Sequence, residues 1–415
     1  MLTACCVKSM PANVLRRTLL ACCLLWSAVA NSPLFTFRSS LLSAQSLHRY
    51  SLGFEWSEHH FADTIPIEFD DHRILLPVEM AGRTYRFMFD TGATQGVVFT
   101  GHGLPYIKEV GRVISYDIND RPDTVRVVQL PPFRLGRLGI DGYLATIVQS
   151  GPVSRGYDGI IGFDLLNKGL VCKIDVANKR MILSDRKKFF ADEQGYEVKY
   201  KLRSFVPYVW ISPFMRHMDC ALFDTGFRHL YAMNRNSFQT HVYKSRQVAA
   251  QVEGRAIGQH TIGAHSVEAA DTVYFLALDR LKWDDFAFRD YHTITQEGSS
   301  HVGAELLDYG TIIINTFRKR IIFQPYAEVR EVTISNEQFQ MFIVPVGGRP
   351  VIGLIREESA AYRGGLRRGD TILQINGVDI PTVSAFQQQQ FVRGETYIYT
   401  VRDVQGHIKR VALVK

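Results

Sequence analysis

Two copies of Asp-Thr-Gly, at Phe89-Asp90-Thr91-Gly92-Ala93 and Phe223-Asp224-Thr225-Gly226-Phe227, end short apolar runs in the two halves of this 415-residue chain. A single copy would say little, because the tripeptide is also a good turn. Two copies in matching surroundings point to a duplicated unit, and internal self-similarity constrains the whole architecture. After the first triplet the chain reads Asp158-Gly159-Ile160-Ile161-Gly162-Phe163-Asp164-Leu165-Leu166, then an apolar strand, then Lys179-Arg180-Met181-Ile182-Leu183. After the second it reads His301-Val302-Gly303-Ala304-Glu305-Leu306-Leu307, then Thr311 to Ile314, then Lys319-Arg320-Ile321-Ile322-Phe323. Upstream, Leu76 to Met80 and Tyr85 to Phe89 flank an Ala-Gly turn, and Val206 to Trp210 precedes Cys220 to Phe223. Each half is therefore expected to be a strand-rich lobe of ordinary domain size.

Paired aspartates suit one kind of chemistry. A lone surface aspartate is ionised at neutral pH and is a poor acid. Two carboxylates about 3 Å apart cannot both ionise, so the pair holds one proton and offers a base beside an acid. Such a pair can deprotonate a water aimed at an amide carbonyl. Each triplet residue has a reason to be there: the Asp carries the chemistry, the Thr hydroxyl can reach the other lobe, and the Gly lets backbone approach a carboxylate closely.

On these residues the chain resembles an aspartic protease of the retropepsin/pepsin type with two lobes in one polypeptide, over about residues 62 to 326. The resemblance implies that Asp90 and Asp224 are catalytic, with Thr91, Gly92, Thr225 and Gly226 in support. It also implies an apolar-apolar-Gly segment behind each triplet. Ile160-Ile161-Gly162 matches that segment well, and His301-Val302-Gly303 matches it in part. The second half departs again at Phe227, where the family usually has Ser, Thr or Ala. A cleft of this kind needs a cover. The stretch Val113 to Val128 reads as a hairpin, with Tyr116, Asn119 and Asp120 as candidate flap residues, or as an ordinary surface hairpin. The glycine-rich region from Gly254 to Gly263 is a second segment able to fill the cleft.

The C-terminal part changes character. Ser359-Ala360-Ala361-Tyr362-Arg363-Gly364-Gly365 reads as a short helix ending at glycine. A Gly369-Asp370 turn follows, then an alternating strand through Ile372 and Ile375 and a second turn at Asn376-Gly377. This run resembles a PDZ domain of the bacterial type. The resemblance implies binding of extended peptides at a sheet edge, with Gly347 to Gly353 as the nearest candidate for a carboxylate-holding loop.

The expected fold class is thus mostly β: a bilobal aspartic-protease-like β-barrel pair followed by a small α+β PDZ-like domain. The boundaries are a signal peptide at 1–30, an N-terminal segment of unclear structure at 31–62, lobes at 63–190 and 191–327, and the PDZ-like domain at 335–415. Lys8, Arg16 and Arg17 precede the apolar run Leu19 to Val29, and Ala28-Val29-Ala30 is a signal-peptidase pattern, so cleavage is expected after Ala30 and the protein in the periplasm or outside the cell. Leu19-Leu20-Ala21-Cys22 has the form of a lipoprotein box, but too few apolar residues separate Arg17 from Cys22. No later run approaches the ~18 apolar residues of a membrane span. Cys5, Cys6, Cys22 and Cys23 leave with the signal, and Cys172 and Cys220 remain as two buried thiols or one disulfide. Net charge falls from +7 to +4 after cleavage, too little to argue for nucleic acid. Metalloprotease, serine-hydrolase and phosphate-loop motifs are missing, and Glu58-His59-His60 reads as a solvated cluster. No metal or cofactor is expected. The expected partners are peptide or protein substrates and a peptide ligand of the PDZ-like domain. Two readings stay open: an exported aspartic endopeptidase, or a peptide-binding pseudoenzyme whose Phe227 and His301 mark lost catalytic constraint.

Overall fold

A computed structural model describes residues 52–119, 121–149, 156–242, 245–263 and 266–414. The expected signal peptide, its cysteines, the first part of the 31–62 segment and the flap candidate Asp120 lie outside the described residues. Among the described residues the protein is mostly β, with few short helices and three sheets of 11, 14 and 6 strands. No described helix is long and apolar enough to cross a membrane.

The duplication read in the sequence is a duplication of strand pairing. In the first half, strand Arg83–Phe89 follows a tight Ala81-Gly82 turn with positive φ at both residues, the conformation that hairpin twist favours. This strand leads into Asp90 and pairs in parallel with Gly159–Ile161, in the register Phe89↔Ile161. On its other side Gly159–Ile161 pairs antiparallel with Gly96–Phe99, the strand that leaves the triplet. The second half repeats this: His217–Asp224 runs parallel to Ser300–Gly303 with Phe223↔Val302, and Tyr231–Asn234 returns antiparallel with Ala232↔His301. The apolar-apolar-Gly segments are therefore the strands threaded behind the two triplets. Ile160 and His301 hold equivalent places in them, since their Cα partners are Met88 and Leu222, two residues before each aspartate.

The halves do not own separate sheets. Ala62–Pro66, Arg180–Ser184 and Val171–Asp175 of the first half join the sheet of the second through Val171–Asp175, which pairs antiparallel with Gly310–Asn315 in the register Cys172↔Ile314. One apolar cluster accordingly runs through both halves, with Phe87, Phe89, Phe163, Phe223 and Trp283 among its fully buried members. At roughly 1.5–3 kcal/mol for each large side chain taken from water, this shared core holds the two triplets at a fixed separation. Cys172 is buried within it and Cys220 is half-buried; both are free thiols, so the disulfide alternative is excluded.

The third sheet follows at the C-terminus. Its hairpin Met341–Val346/Arg349–Ile355 turns on Gly347-Gly348, both with positive φ and bounded by the pair Val346↔Arg349. The stretch Gly347 to Gly353 is thus a two-residue hairpin turn and the strand after it, not a carboxylate-holding loop; paired glycines suit either, and strand pairing decided. Helix Ala360–Arg363 is capped by Ser359, whose Oγ accepts from the Tyr362 amide at 3.1 Å. Gly369 and the pair Asn376-Gly377 make the turns expected of them, each with positive φ. The domain rests on the second half. Ala256, Val273, Phe275 and Ile294 pack with Leu354, Phe339 and Phe342, and the Gln259 amide donates to Gly353 O at 2.9 Å.

Candidate active site

The strands ending at Phe89 and Phe223 deliver the two triplets to each other across the joined halves. Thr91 and Thr225, both fully buried, tie them together reciprocally. Thr91 Oγ1 donates to Phe223 O at 2.7 Å and accepts from the Thr225 amide at 3.0 Å. Thr225 Oγ1 donates to Phe89 O at 2.8 Å and accepts from the Thr91 amide at 3.0 Å. Four buried hydrogen bonds thus fix the spacing of the halves at the point where the aspartates stand. The glycines are required by that closeness: a Cβ on Gly92 would lie 2.5 Å from the Asp224 carboxyl carbon, and one on Gly226 would lie 2.6 Å from that of Asp90. Each carboxylate is also held from its own turn, Asp90 Oδ1 by the Gly92 and Ala93 amides at 2.8 and 3.1 Å, and Asp224 Oδ1 by the Gly226 amide at 2.8 Å.

The two carboxyls are in hydrogen-bonding contact and act as one titrating unit. Burial, then the charge of Asp224 and the hydrogen bond to it, hold the Asp90 carboxyl well above the usual carboxylate range. Burial also raises Asp224, against the hydrogen bond it receives from Asp90 and those from nearby backbone amides. Burial favours a proton on both carboxyls, and that proton belongs to the pair.

Phe227 does not come between the carboxyls. Its ring leans on His301, centroids 5.2 Å apart, and meets His229 edge-on at 5.6 Å. Its carbonyl accepts from the Ala304 amide at 2.7 Å, as Ala93 O accepts from Phe163 at 2.8 Å in the first half. His301 is buried, and its Nε2 lies 3.5 Å from Asp224 Oδ2. The sequence offered it as a departure from an apolar slot, with no sign that strand pairing would aim it at an aspartate.

The hairpin Lys108–Tyr116/Pro122–Gln129 covers the site, its inner residues Val113 to Ile118 lining the same cavity as the two aspartates. Tyr116 is among the lining residues. Asn119 is buried elsewhere: its Nδ2 donates to Ser266 Oγ at 3.1 Å and Ser266 O at 3.3 Å. Ser266 Oγ in turn donates to Asp117 Oδ2 at 2.7 Å, while Asp117 Oδ1 accepts from the Asn119 and Arg121 amides. The tip of the hairpin is latched to the loop between Val252–Gly258 and Asp271–Trp283. Of Gly254 to Gly263, the part to Gly258 is strand paired with Asp271–Trp283, His260 to Gly263 line the same cavity as the dyad, Gly263 abuts Asp117 at the hairpin tip, and Ile262 packs on the core of the third sheet. Asp117 was findable as the first residue of a turn; nothing local announces Ser266.

The cavity measures about 1530 Å³, above the ~300–1,000 Å³ usual for a small-molecule site. Its lining passes from Asp90 and Asp224 to Met341 and Ile343 on the first strand of the third sheet and to Val383 and Phe386 on the helix Val383–Gln387. Among the described residues no cluster of three or more His, Cys, Asp or Glu could hold a metal ion.

The PDZ domain family model matches residues 333–400. The C-terminal module is a PDZ domain. Its first strand, Met341–Val346, is an edge strand of the sheet, paired among the described residues only with Arg349–Ile355. No curated protein matches the chain. Among solved structures, the chain is similar to the crystal structure of basic 7S globulin from soybean. That match has 11% identity and a TM-score of 0.39, over 63% of this chain and 94% of that one.

Proposed function

We propose that the protein is an aspartic-type endopeptidase of retropepsin/pepsin kind that cleaves extended polypeptide, with the PDZ domain docking the same substrate. The observation that carries this reading is the pair Asp90–Asp224, brought together by the Thr91 and Thr225 cross-ties and by Gly92 and Gly226, and lining one cavity with the covering hairpin. Water between the carboxyls gives a proton to Asp224 as its oxygen attacks the amide carbon, and Asp90 gives its proton to the carbonyl oxygen. In the collapse Asp224 returns its proton to the departing nitrogen, the C–N bond breaks, and Asp90 recovers a proton from the diol. The pair ends as it began. Three features support an extended substrate: the volume of the cavity, a hairpin able to close over a chain, and the edge strand Met341–Val346 beside Val383 and Phe386, where a peptide can add as a further strand. The pseudoenzyme reading takes Phe227 and His301 as marks of lost catalytic constraint; against it, the Phe227 ring rests on His301 and His229. The N-terminal segment supports an exported enzyme, and a mature chain beginning at Asn31 would verify it by N-terminal sequencing.

The test is digestion of a denatured-protein and peptide mixture by the purified chain from pH 3 to 8, beside Asp90→Asn and Asp224→Asn. A bell-shaped profile abolished by either substitution is expected, since the pair works only with one proton. Binding of peptides without cleavage at any pH would instead make this a peptide-binding protein.

A further inference from the structure

The strands threaded behind the two aspartates are near copies that differ in chemistry at one equivalent position. Ile160 stands behind the strand leading to Asp90, and His301 occupies the equivalent place behind Asp224. We infer that His301 is a positioning residue of the dyad: its Nε2–H faces Asp224 Oδ2 and makes Asp224 the ionised carboxylate, leaving the proton to Asp90. This inference rests on the reading of the pair as a working acid and base.

The hydrogen-bond network limits how the ring can be protonated. Nδ1 is 2.5 Å from Gln296 Nε2 and 2.8 Å from Ser299 O, and the same Gln296 nitrogen donates to Ser299 O at 2.7 Å. In a neutral ring, Gln296 donating to Nδ1 leaves the proton on Nε2. In a charged ring, Nδ1–H donates to Ser299 O and Nε2 still carries a proton. A neutral ring protonated at Nδ1 would donate to Ser299 O and aim a lone pair at Asp224, which suits only a protonated Asp224. The other two states present an N–H to Asp224, as the inferred role requires. The separation of 3.5 Å is long for a hydrogen bond in a resting site, and such contacts tighten when substrate binds.

The parallel strand beside His301 supplies Leu222 and Asp224, the antiparallel strand supplies Ala232, and the turn before His301 supplies Gln296 and Ser299. Phe227 closes the remaining side, with His229 beyond it. Around the ring stand the titratable groups Asp224, Asp90 through the dyad, and His229 across Phe227. A hydrogen bond to the charged form of a carboxyl favours that form. The first half has apolar Ile160 at this point, so the donor that faces Asp224 has no counterpart behind Asp90 in the equivalent place.

The test pairs His301→Leu, which fits the apolar slot, with His301→Gln, which restores an N–H donor. In full-length chain labelled with ¹³C at the aspartate carboxyls, the resonance assigned to Asp224 through Asp224→Asn is titrated. The acid limb of the peptide-cleavage profile is measured beside it, and melting temperature tracks folding. The Leu variant should raise the Asp224 transition and the acid limb by about one pH unit. At pH values below the limb its turnover should be about tenfold lower, and the Gln variant should recover most of the shift. A folded Leu variant whose titration and limb stay put, or a Gln variant that behaves like Leu, overturns the inference. Should the chain cleave nothing, the titration still reads His301, so failure of the endopeptidase reading is separable. Should the Leu variant not fold, the imidazole ¹⁵N shifts of the unaltered chain decide: a neutral ring protonated at Nδ1 refutes the proposal, and one protonated at Nε2 that responds to Asp224→Asn upholds it.

Discussion

Thr91→Val keeps the shape of the side chain and removes only its hydroxyl, so it isolates the bonds that join the halves. Two of the four are lost: the donation to Phe223 O at 2.7 Å and the acceptance from the Thr225 amide at 3.0 Å. Both partners are left at a fully buried site where Val offers nothing in return. An unsatisfied buried polar group costs about 1–3 kcal/mol, so the substitution should cost about 2–5 kcal/mol in all, a large part of the usual 5–15 kcal/mol. Thr91→Ser keeps both bonds, loses one methyl, and should cost only about 1 kcal/mol. Urea unfolding followed by tryptophan fluorescence measures both, and a lowered midpoint with an unchanged slope assigns the loss to the folded state. Thr225→Val removes the other two bonds. Because a broken tie makes its neighbour less useful, the double variant should fall short of the sum by about 1 kcal/mol. A Val variant costing under ~1 kcal/mol, or a Ser variant costing as much as Val, would refute the argument that this hydroxyl network fixes the spacing of the triplets.

Two further outcomes are expected. Asp164 is fully buried, accepts from the Tyr143 hydroxyl at 2.9 Å, and is pushed up to about 8 by that burial. Its folded-state value exceeds the unfolded one, so the folded chain keeps a proton that the unfolded chain releases, and stability falls as pH rises from about 4 to 8. Asp164→Asn should match the wild type near pH 4 and gain as pH rises, by at most about 4 kcal/mol at pH 7; melting curves at the two pH values check this, and an equal difference at both would contradict it. Ser266→Ala removes the bonds to Asp117 and Asn119 at the hairpin tip. Amide exchange across 114–119 should quicken by about tenfold, with peptide KM rising more than kcat changes, and unchanged exchange would mean the latch contributes nothing.

Much of the fold was legible because it is written in local pattern. The two triplets, the apolar-apolar-Gly segments and the Lys-Arg strands repeat in order, and each became a strand or turn of matching topology in the two halves. In the C-terminal domain, Ser359, Gly369 and Asn376-Gly377 specify a cap and two turns through their own backbone preferences, which need no distant partner. The errors arose where one local signal serves two structures. Gly347-Gly348 suits a nest or a hairpin, and the pairing Val346↔Arg349 chose the hairpin. Asn119 lies at the tip of the covering hairpin as expected, and what the sequence lacked was its partner Ser266, a residue without any signal of its own.

The sequence by itself determined that the chain is a duplicated strand-rich unit carrying two Asp-Thr-Gly turns, with a PDZ domain after them. Turn chemistry, alternation and repetition act over a few residues and can be read one after another. Tertiary structure alone decided that Thr91 and Thr225 cross-tie the halves, that strands of the first half complete the sheet of the second, and that Met341 and Phe386 share a cavity with the dyad. It also turned His301 from a blemish in an apolar slot into a neighbour of Asp224. These depend on which residues a parallel register and a shared core bring within a few ångströms, and chain distance carries no record of that.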